Sequence, residues 1–220
     1  MMNRLLILKS CRLYGILDLG YVELALVEEI AEALLRGGVK ILQVRAKNVP
    51  LETVKDVVSR VVPLCRKYGC LSIVNDYPEL ADEYDADGVH IGQDTPDFSA
   101  VRTLIGADKI IGRSTHSVEQ ALQGYAEGAD YIGFGPLFPT ATKPGRLAIG
   151  LEGIAEVRRC LPVEFPVFCI GGINETSLPA VLAAGAQRVV IVSWLLTHPQ
   201  VEVETKRVIA LLTHSSVNPL

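Results

Sequence analysis

The sequence lacks the marks of several protein classes. It has no Cys-x-x-Cys pair, and its five cysteines (Cys11, Cys65, Cys70, Cys160 and Cys169) are odd in number. That pattern gives no disulfide framework. It fits free thiols in a reducing compartment, the cytoplasm, each packed as a small buried hydrophobe. No apolar run is long enough to span a bilayer, and the stretch Leu5 to Leu8 is too short even for a signal segment. Residues 1–11 read as a lead-in to a first strand. There is no low-complexity linker and no charge run beyond a few residues, so one domain over 1–220 is expected. A formal net charge of −4 argues against a nucleic-acid partner, which needs a basic face.

What is present is apolar and periodic. Hydrophobic residues make up 49% of the chain and charged residues 21%, enough for a large core and unlike a disordered chain. Short β-branched runs alternate with longer segments of helical spacing, the pattern of repeated βα units. The expected strands are residues 13–17, 41–45, 71–75, 88–91, 110–114, 131–135, 167–170 and 188–193. Several are continuous apolar runs, as parallel strands buried on both faces must be. The expected helices are 22–36, 51–68, 117–127, 151–160, 178–184 and 201–212. Pro63 predicts a kink or break in the second, and Ser117 with Gln120 forms a capping box for the third. No glycine-rich turn follows the first strand, as an open dinucleotide-binding sheet would require. Eight βα units in 220 residues predict a single α/β domain, a (βα)8 TIM barrel.

In such a barrel the chemistry collects where strands end. The second strand ends Gln43-Val44-Arg45-Ala46-Lys47, and alternation places Gln43, Arg45 and Lys47 on one side. Two cations and an amide suit a diphosphate, where a surface pair would be the bland alternative. The third strand ends Asn75-Asp76. On local grounds this pair caps the following helix; it could also offer a carboxylate to a hard cation. The fourth strand ends His90-Ile91-Gly92-Gln93-Asp94-Thr95, with a second acid that could face Asp76 across a magnesium site. The fifth ends Ser114-Thr115-His116: either substrate contact and acid–base work, or a histidine packed under a loop. The sixth runs into a long loop, 136–147, holding Thr140, Thr142 and Lys143, a candidate lid over an anion. Gly171-Gly172 after the seventh strand and Val192-Ser193 after the eighth match the phosphate site that barrels build from these loops.

Six segments in order, each at its own strand end, resemble the thiamine-phosphate synthase (thiamine-phosphate pyrophosphorylase) family. They are Gln43-Val44-Arg45-Ala46-Lys47, Ile73-Val74-Asn75-Asp76, Asp87-Gly88-Val89-His90-Ile91-Gly92-Gln93, Gly112-Arg113-Ser114-Thr115-His116, the segment from Gly135 through Pro139 and Thr140 to Lys143, and Ile170-Gly171-Gly172-Ile173. The resemblance covers nearly the whole chain. It implies a transferase that joins a hydroxymethylpyrimidine diphosphate to a thiazole phosphate, releasing pyrophosphate and thiamine phosphate. It further implies that Gln43, Arg45, Lys47, Asn75, Ser114 and Lys143 meet the pyrimidine diphosphate. Of these, Arg45, Lys47, Lys143 and Ser114 would act in the chemical step. Thr140, Thr142, Gly172, Val192 and Ser193 would hold the thiazole phosphate, and Asp76 would hold Mg2+.

Two positions depart from the family pattern. The second metal acid is expected at Thr95, whereas the acid stands one residue earlier, at Asp94. Arg113 replaces a small or apolar residue. The related thiazole tautomerase, with His116 as acid–base residue, is the nearest alternative, followed by a catalytically silent barrel that binds thiazole or thiamine phosphate. The expected partners are small-molecule substrates, with no nucleic acid and no membrane. Self-association into a homo-oligomer is left open.

Overall fold

A computed structural model describes residues 4–95, 97–140 and 147–214. Eight strands lie parallel in sequence order: β1 (Leu13–Asp18), β2 (Ile41–Arg45), β3 (Leu71–Asn75), β4 (Gly88–Ile91), β5 (Ile110–Thr115), β6 (Tyr131–Phe134), β7 (Val167–Cys169) and β8 (Val189–Ile191). β1 also pairs with β8, which closes the barrel. The helices are α1 (Arg4–Ser10), α2 (Val27–Arg36), α3 (Leu51–Lys67), α4 (Pro78–Glu83), α5 (Phe98–Ile105), α6 (Val118–Ala126), α7 (Gly153–Cys160), α8 (Leu178–Ala183), α9 (Ser193–Leu196) and α10 (Val201–His214). The strands carry Val, Ile and Leu because both faces are covered, outward by helices and inward by the barrel's own side chains. Among the described residues no helix is long and apolar enough to cross a membrane.

The barrel is filled by three aromatic rings. Tyr14, Tyr131 and Phe168 meet edge to face at centroid distances of 5.3 to 5.6 Å, each pair contributing about 1 kcal/mol beyond its area burial. Their bulk needs room on the neighbouring strand. A Cβ at Gly112 would stand 2.0 Å from Tyr131 Cζ, so Tyr131 dictates glycine there.

Differences from the sequence reading have local causes. α2 starts at Val27 because a 3-10 turn, Leu24–Leu26, occupies the preceding residues. α3 runs on through Pro63. That proline sits on the exposed face, where water can solvate the carbonyl it leaves unpaired. Ser117 does cap α6, accepting from Gln120 N at 3.2 Å. The Gln120 side chain, however, accepts from the backbone N–H of His116, one residue earlier than the box motif predicts. Four helices, α1, α4, α5 and α9, were not among those expected; each has eight residues or fewer.

The lead-in expected over residues 1–11 is corrected: Arg4–Ser10 is a helix. It lies across the N-terminal end of the barrel with Leu8 fully buried. Arg4 Nε donates to Asp87 Oδ1 at 2.7 Å, and the other oxygen of Asp87 accepts from Ser72. Cys160 is also a correction. It is exposed on the last turn of α7, while the other four cysteines are buried, and all five are free thiols. Burial pushes the thiols of Cys11 and Cys169 up to about 12.

Candidate functional site

At the C-terminal end of the strands lies a cavity of about 850 Å³, part of it open to solvent. Eight residues singled out from the sequence line it: Gln43, Arg45, Asn75, Ser114, Thr140, Gly172, Val192 and Ser193. His116 lines it too. Thr142 and Lys143 lie outside the described residues.

One wall is cationic. Arg45, at the last position of β2, is held by Asp18, at the last position of β1. Arg45 Nη1 donates to Asp18 Oδ2 at 2.7 Å, and Asp18 Oδ1 accepts from Gly20 N at 2.9 Å. Asp18 is 1% exposed. A buried carboxylate with two donors orients the guanidinium in a way that water could not. Lys47 does not line the cavity. β2 has ended by then, and its ammonium turns to the carboxylate of Asp76. Asp76 also accepts from Asn75 Nδ2 at 2.8 Å and takes a left-handed φ of 62°, which swings its carboxylate onto this pair.

None of the three expected metal residues lines the cavity, and the Asp76 carboxylate is paired with Lys47 and Asn75. Asp94 is exposed and Thr95 half-buried, both in the turn after β4, and neither lines the cavity. Among the described residues no group of three or more His, Cys, Asp or Glu side chains could hold a metal ion. Magnesium needs only one or two protein carboxylates when a diphosphate supplies further oxygens. Asp76 follows the last residue of β3, next to Asn75, which does line the cavity, so its carboxylate is the acid nearest to that requirement in sequence.

The floor is a chain of buried hydrogen bonds not foreseen from the sequence. Gln43 Nε2 donates to Tyr14 Oη at 2.7 Å, and Tyr14 Oη meets Tyr131 Oη at 2.7 Å. His90 joins Tyr131 Oη through Nδ1 at 3.0 Å and Ser114 Oγ through Nε2 at 2.9 Å. Its ring stacks on that of Tyr131 at 5.5 Å. Burial holds both phenols well above their ordinary pKa, so both remain protonated. The Gln93 amide donates to the Ser114 carbonyl, fixing the end of β5 against the turn after β4.

The part of the lining after β7 is backbone. Gly172 takes a φ of 66°, and a Cβ there would stand 2.7 Å from Phe138 Cβ and 2.9 Å from the Pro139 carbonyl. Only glycine lets the β7 loop close under the β6 loop. Ser193 opens α9, the short extra helix after β8. His116 packs under a loop, the second of its sequence alternatives. Its ring lines the cavity while Nδ1 bonds the carbonyl of Gly135 in the β6 loop. Arg113 points elsewhere. Its guanidinium lies 3.8 Å from Glu127 at the end of α6, outside the cavity, so it does not bear on the choice of reaction.

Asp18, Tyr14, Tyr131, His90 and Phe168 are the site and floor residues missed from the sequence. For the four aromatic residues the usable signal was a ring inside an otherwise apolar strand, beneath the strand end.

The sequence profile of the thiamine monophosphate synthase family matches residues 13–195. A thiamine-phosphate synthase of Gloeobacter violaceus is 43% identical over 164 residues, 74% of this chain and 48% of that protein. One from Persephonella marina is 38% identical over 89% of this chain and 92% of its own. A solved thiamine phosphate pyrophosphorylase from Pyrococcus furiosus superposes with a TM-score of 0.83 at 30% identity, covering 96% of this chain and 98% of that one. The chain spans about half the length of the first curated relatives it matches, from 46% to 52%.

Proposed function

The chain belongs to the thiamine monophosphate synthase family, and on that premise we propose that it is a transferase joining a hydroxymethylpyrimidine diphosphate to a thiazole phosphate. The C–O bond between the pyrimidine methylene and the diphosphate breaks, and the thiazole ring nitrogen supplies the electron pair for the new C–N bond. Pyrophosphate leaves and thiamine phosphate remains. No general base is needed, because the attacking nitrogen carries no proton.

One observation carries this reading. A single cavity is lined both by Arg45, at the end of β2 and held by Asp18, and by Gly172 in the loop after β7, three strands away around the barrel. Two anionic substrates therefore have separate ends to occupy. Negative charge builds on the departing diphosphate, so Arg45, Lys47, Ser114 and Lys143 would stabilise the transition state more than the ground state. Gln43 and Asn75 would orient the same substrate. Thr140, Thr142, Gly172, Val192 and Ser193 would receive the monophosphate. Asp76 would hold magnesium, joined by Asp94 if the turn after β4 brings it in, and the ion would neutralise charge on the leaving diphosphate. The five free thiols suit a reducing compartment, the cytoplasm.

His116 in the cavity wall is the specific observation behind the alternative, a thiazole tautomerase. The deciding experiment supplies the purified protein with both substrates and magnesium. Thiamine phosphate and pyrophosphate in equal amounts are expected. No product, with tautomerisation of the thiazole precursor instead, would overturn the synthase reading. Substrate binding without either reaction would mark a silent barrel.

A further inference from the structure

We infer that Lys47 is an internal stand-in for the metal ion. Its ammonium neutralises Asp76 until a diphosphate draws it away, so the diphosphate and the divalent cation bind as a coupled pair. The inference deepens the synthase reading and rests on it for the identity of the diphosphate.

Two assignments meet on one ion pair. In the proposed function Lys47 serves the diphosphate and Asp76 serves magnesium, yet the structure joins the two side chains to each other. Lys47 Nζ and Asn75 Nδ2 both donate to Asp76 Oδ2, the second at 2.8 Å, and Oδ1 has no donor among the described residues. A divalent cation at Oδ1 would stand beside the ammonium, and like charges that close repel. The cation therefore gains Asp76 in full only once Lys47 has left. A diphosphate gives the ammonium another anion to bind, and its oxygens complete the coordination that one carboxylate begins.

The geometry says which partner moves. Asp76 is pinned, because its backbone N–H donates to the His90 carbonyl of β4 at 2.9 Å. Lys47 lies just past the end of β2 with its side chain 44% exposed, and its charge rides on a flexible stem. An ion pair this open to water is weak, so it releases the lysine readily. The same exposure bounds the effect, and shielding of Asp76 should be worth about fivefold in metal affinity. Coupling is reciprocal, so the cation draws in the diphosphate by the same factor.

Two NMR measurements on the full-length protein test this. In the first, Mn2+ replaces magnesium because it broadens nearby signals. The probe is the backbone 15N–1H signal of residue 76, identified by its shift in Asp76→Asn. With Mn2+ alone, half-broadening in Lys47→Met should need about fivefold less ion than in the wild type. Lys47→Arg keeps the charge and should need as much as the wild type. Adding Asp76→Asn to Lys47→Met should abolish the gain. Equal midpoints in the wild type and Lys47→Met would overturn the inference. So would an equal gain in Lys47→Arg, or a gain that survives Asp76→Asn. Circular dichroism checks that each variant is folded. This arm needs no diphosphate and stands apart from the synthase reading.

The second follows the 15N signal of the Lys47 ammonium, identified by its loss in Lys47→Arg. Inorganic pyrophosphate with magnesium should shift it, and magnesium alone should not. A shift with magnesium alone would overturn the inference. So would an unmoved ammonium while signals of cavity residues respond to pyrophosphate. If nothing in the spectrum responds to pyrophosphate with magnesium, the synthase reading fails, while the Mn2+ comparison still decides whether Lys47 shields Asp76.

Discussion

The carboxylate of Asp18 and the guanidinium of Arg45 stand 2.7 Å apart at the ends of two adjacent strands, and their Cα atoms are register partners in the sheet. The sheet itself therefore sets the pairing, with no loop between the two residues. Both side chains are largely withdrawn from water, at 2% and 13% exposure. Removing one partner would leave the other charge desolvated and unpaired.

Asp18→Asn keeps the shape and the acceptor for Gly20 N but removes the charge. Stability should fall by about 3 kcal/mol, or roughly 10 °C in Tm. The freed guanidinium should lower kcat/KM for the diphosphate substrate by about ten- to a hundredfold. Thermal melts and steady-state kinetics measure the two effects. A variant with wild-type kinetics would show that Asp18 does not orient Arg45.

Gly172→Ala places a methyl group against Phe138 and the Pro139 carbonyl and strains a positive φ. The expected cost is about 1–3 kcal/mol of stability. Because Gly172 lines the part of the cavity proposed for the monophosphate, KM for thiazole phosphate should rise while KM for the diphosphate stays near its wild-type value. Equal rises in both would place Gly172 outside a separate monophosphate pocket.

Magnesium titrations of activity address the turn after β4. Asp76→Asn should remove most of the response to magnesium. Asp94→Ala should weaken the response more than Thr95→Ala does, since a carboxylate binds this ion far better than a hydroxyl. The reverse order would exclude Asp94 as a ligand.

Arg207 on α10 ties that helix to the loop after β7 and to α9. It donates to Glu204 at 2.9 and 2.6 Å and to Glu175 at 2.8 Å, with its guanidinium 5.7 Å from the Trp194 ring centre on α9. The Arg207 hydrogen bonds lower the Glu204 carboxyl below its ordinary value, against the opposing effect of its burial. A depressed folded pKa means stability that is present above the unfolded value and lost as pH falls through the folded one. Arg207→Gln should therefore cost stability at pH 7, about 1 kcal/mol given that Arg207 is 43% exposed. The gap should close in acid once Glu204 is protonated. A gap in Tm that stays constant from pH 7 to acid would show that the pair contributes no charge-linked stability.

How far the sequence could be read depended on the length scale of the signal. β2, β3 and β4 were legible to the residue because apolar runs end abruptly at Arg45, Asn75 and Ile91. β8 was drawn too long, since Ser193 and Val192 look like strand residues until α9 turns the chain. Gln43, Asn75 and Ser114 announced themselves as polar side chains at strand ends. Tyr14, His90 and Tyr131 did not, because an aromatic inside a strand looks like core until its partners on other strands are known. Asp18 was hidden for a related reason. Its partner is 27 residues away, and nothing local distinguishes a buried carboxylate from a loop acid. Arg113 misled in the opposite sense. It sits within a motif segment, yet strand alternation turns it outward to α6.

The helix over the barrel's N-terminal end sets an order of assembly. α1 is synthesised before any strand, yet its ion-pair partner Asp87 lies 83 residues downstream. Arg188, which donates to the Lys9 carbonyl, follows after 179. During vectorial synthesis the helix therefore lacks its ion-pair partner until the residue before β4 is made, and its seat is complete only with β8. An element translated before every strand of the barrel is among the last to be placed, and sealing that end reports that the whole circle has closed.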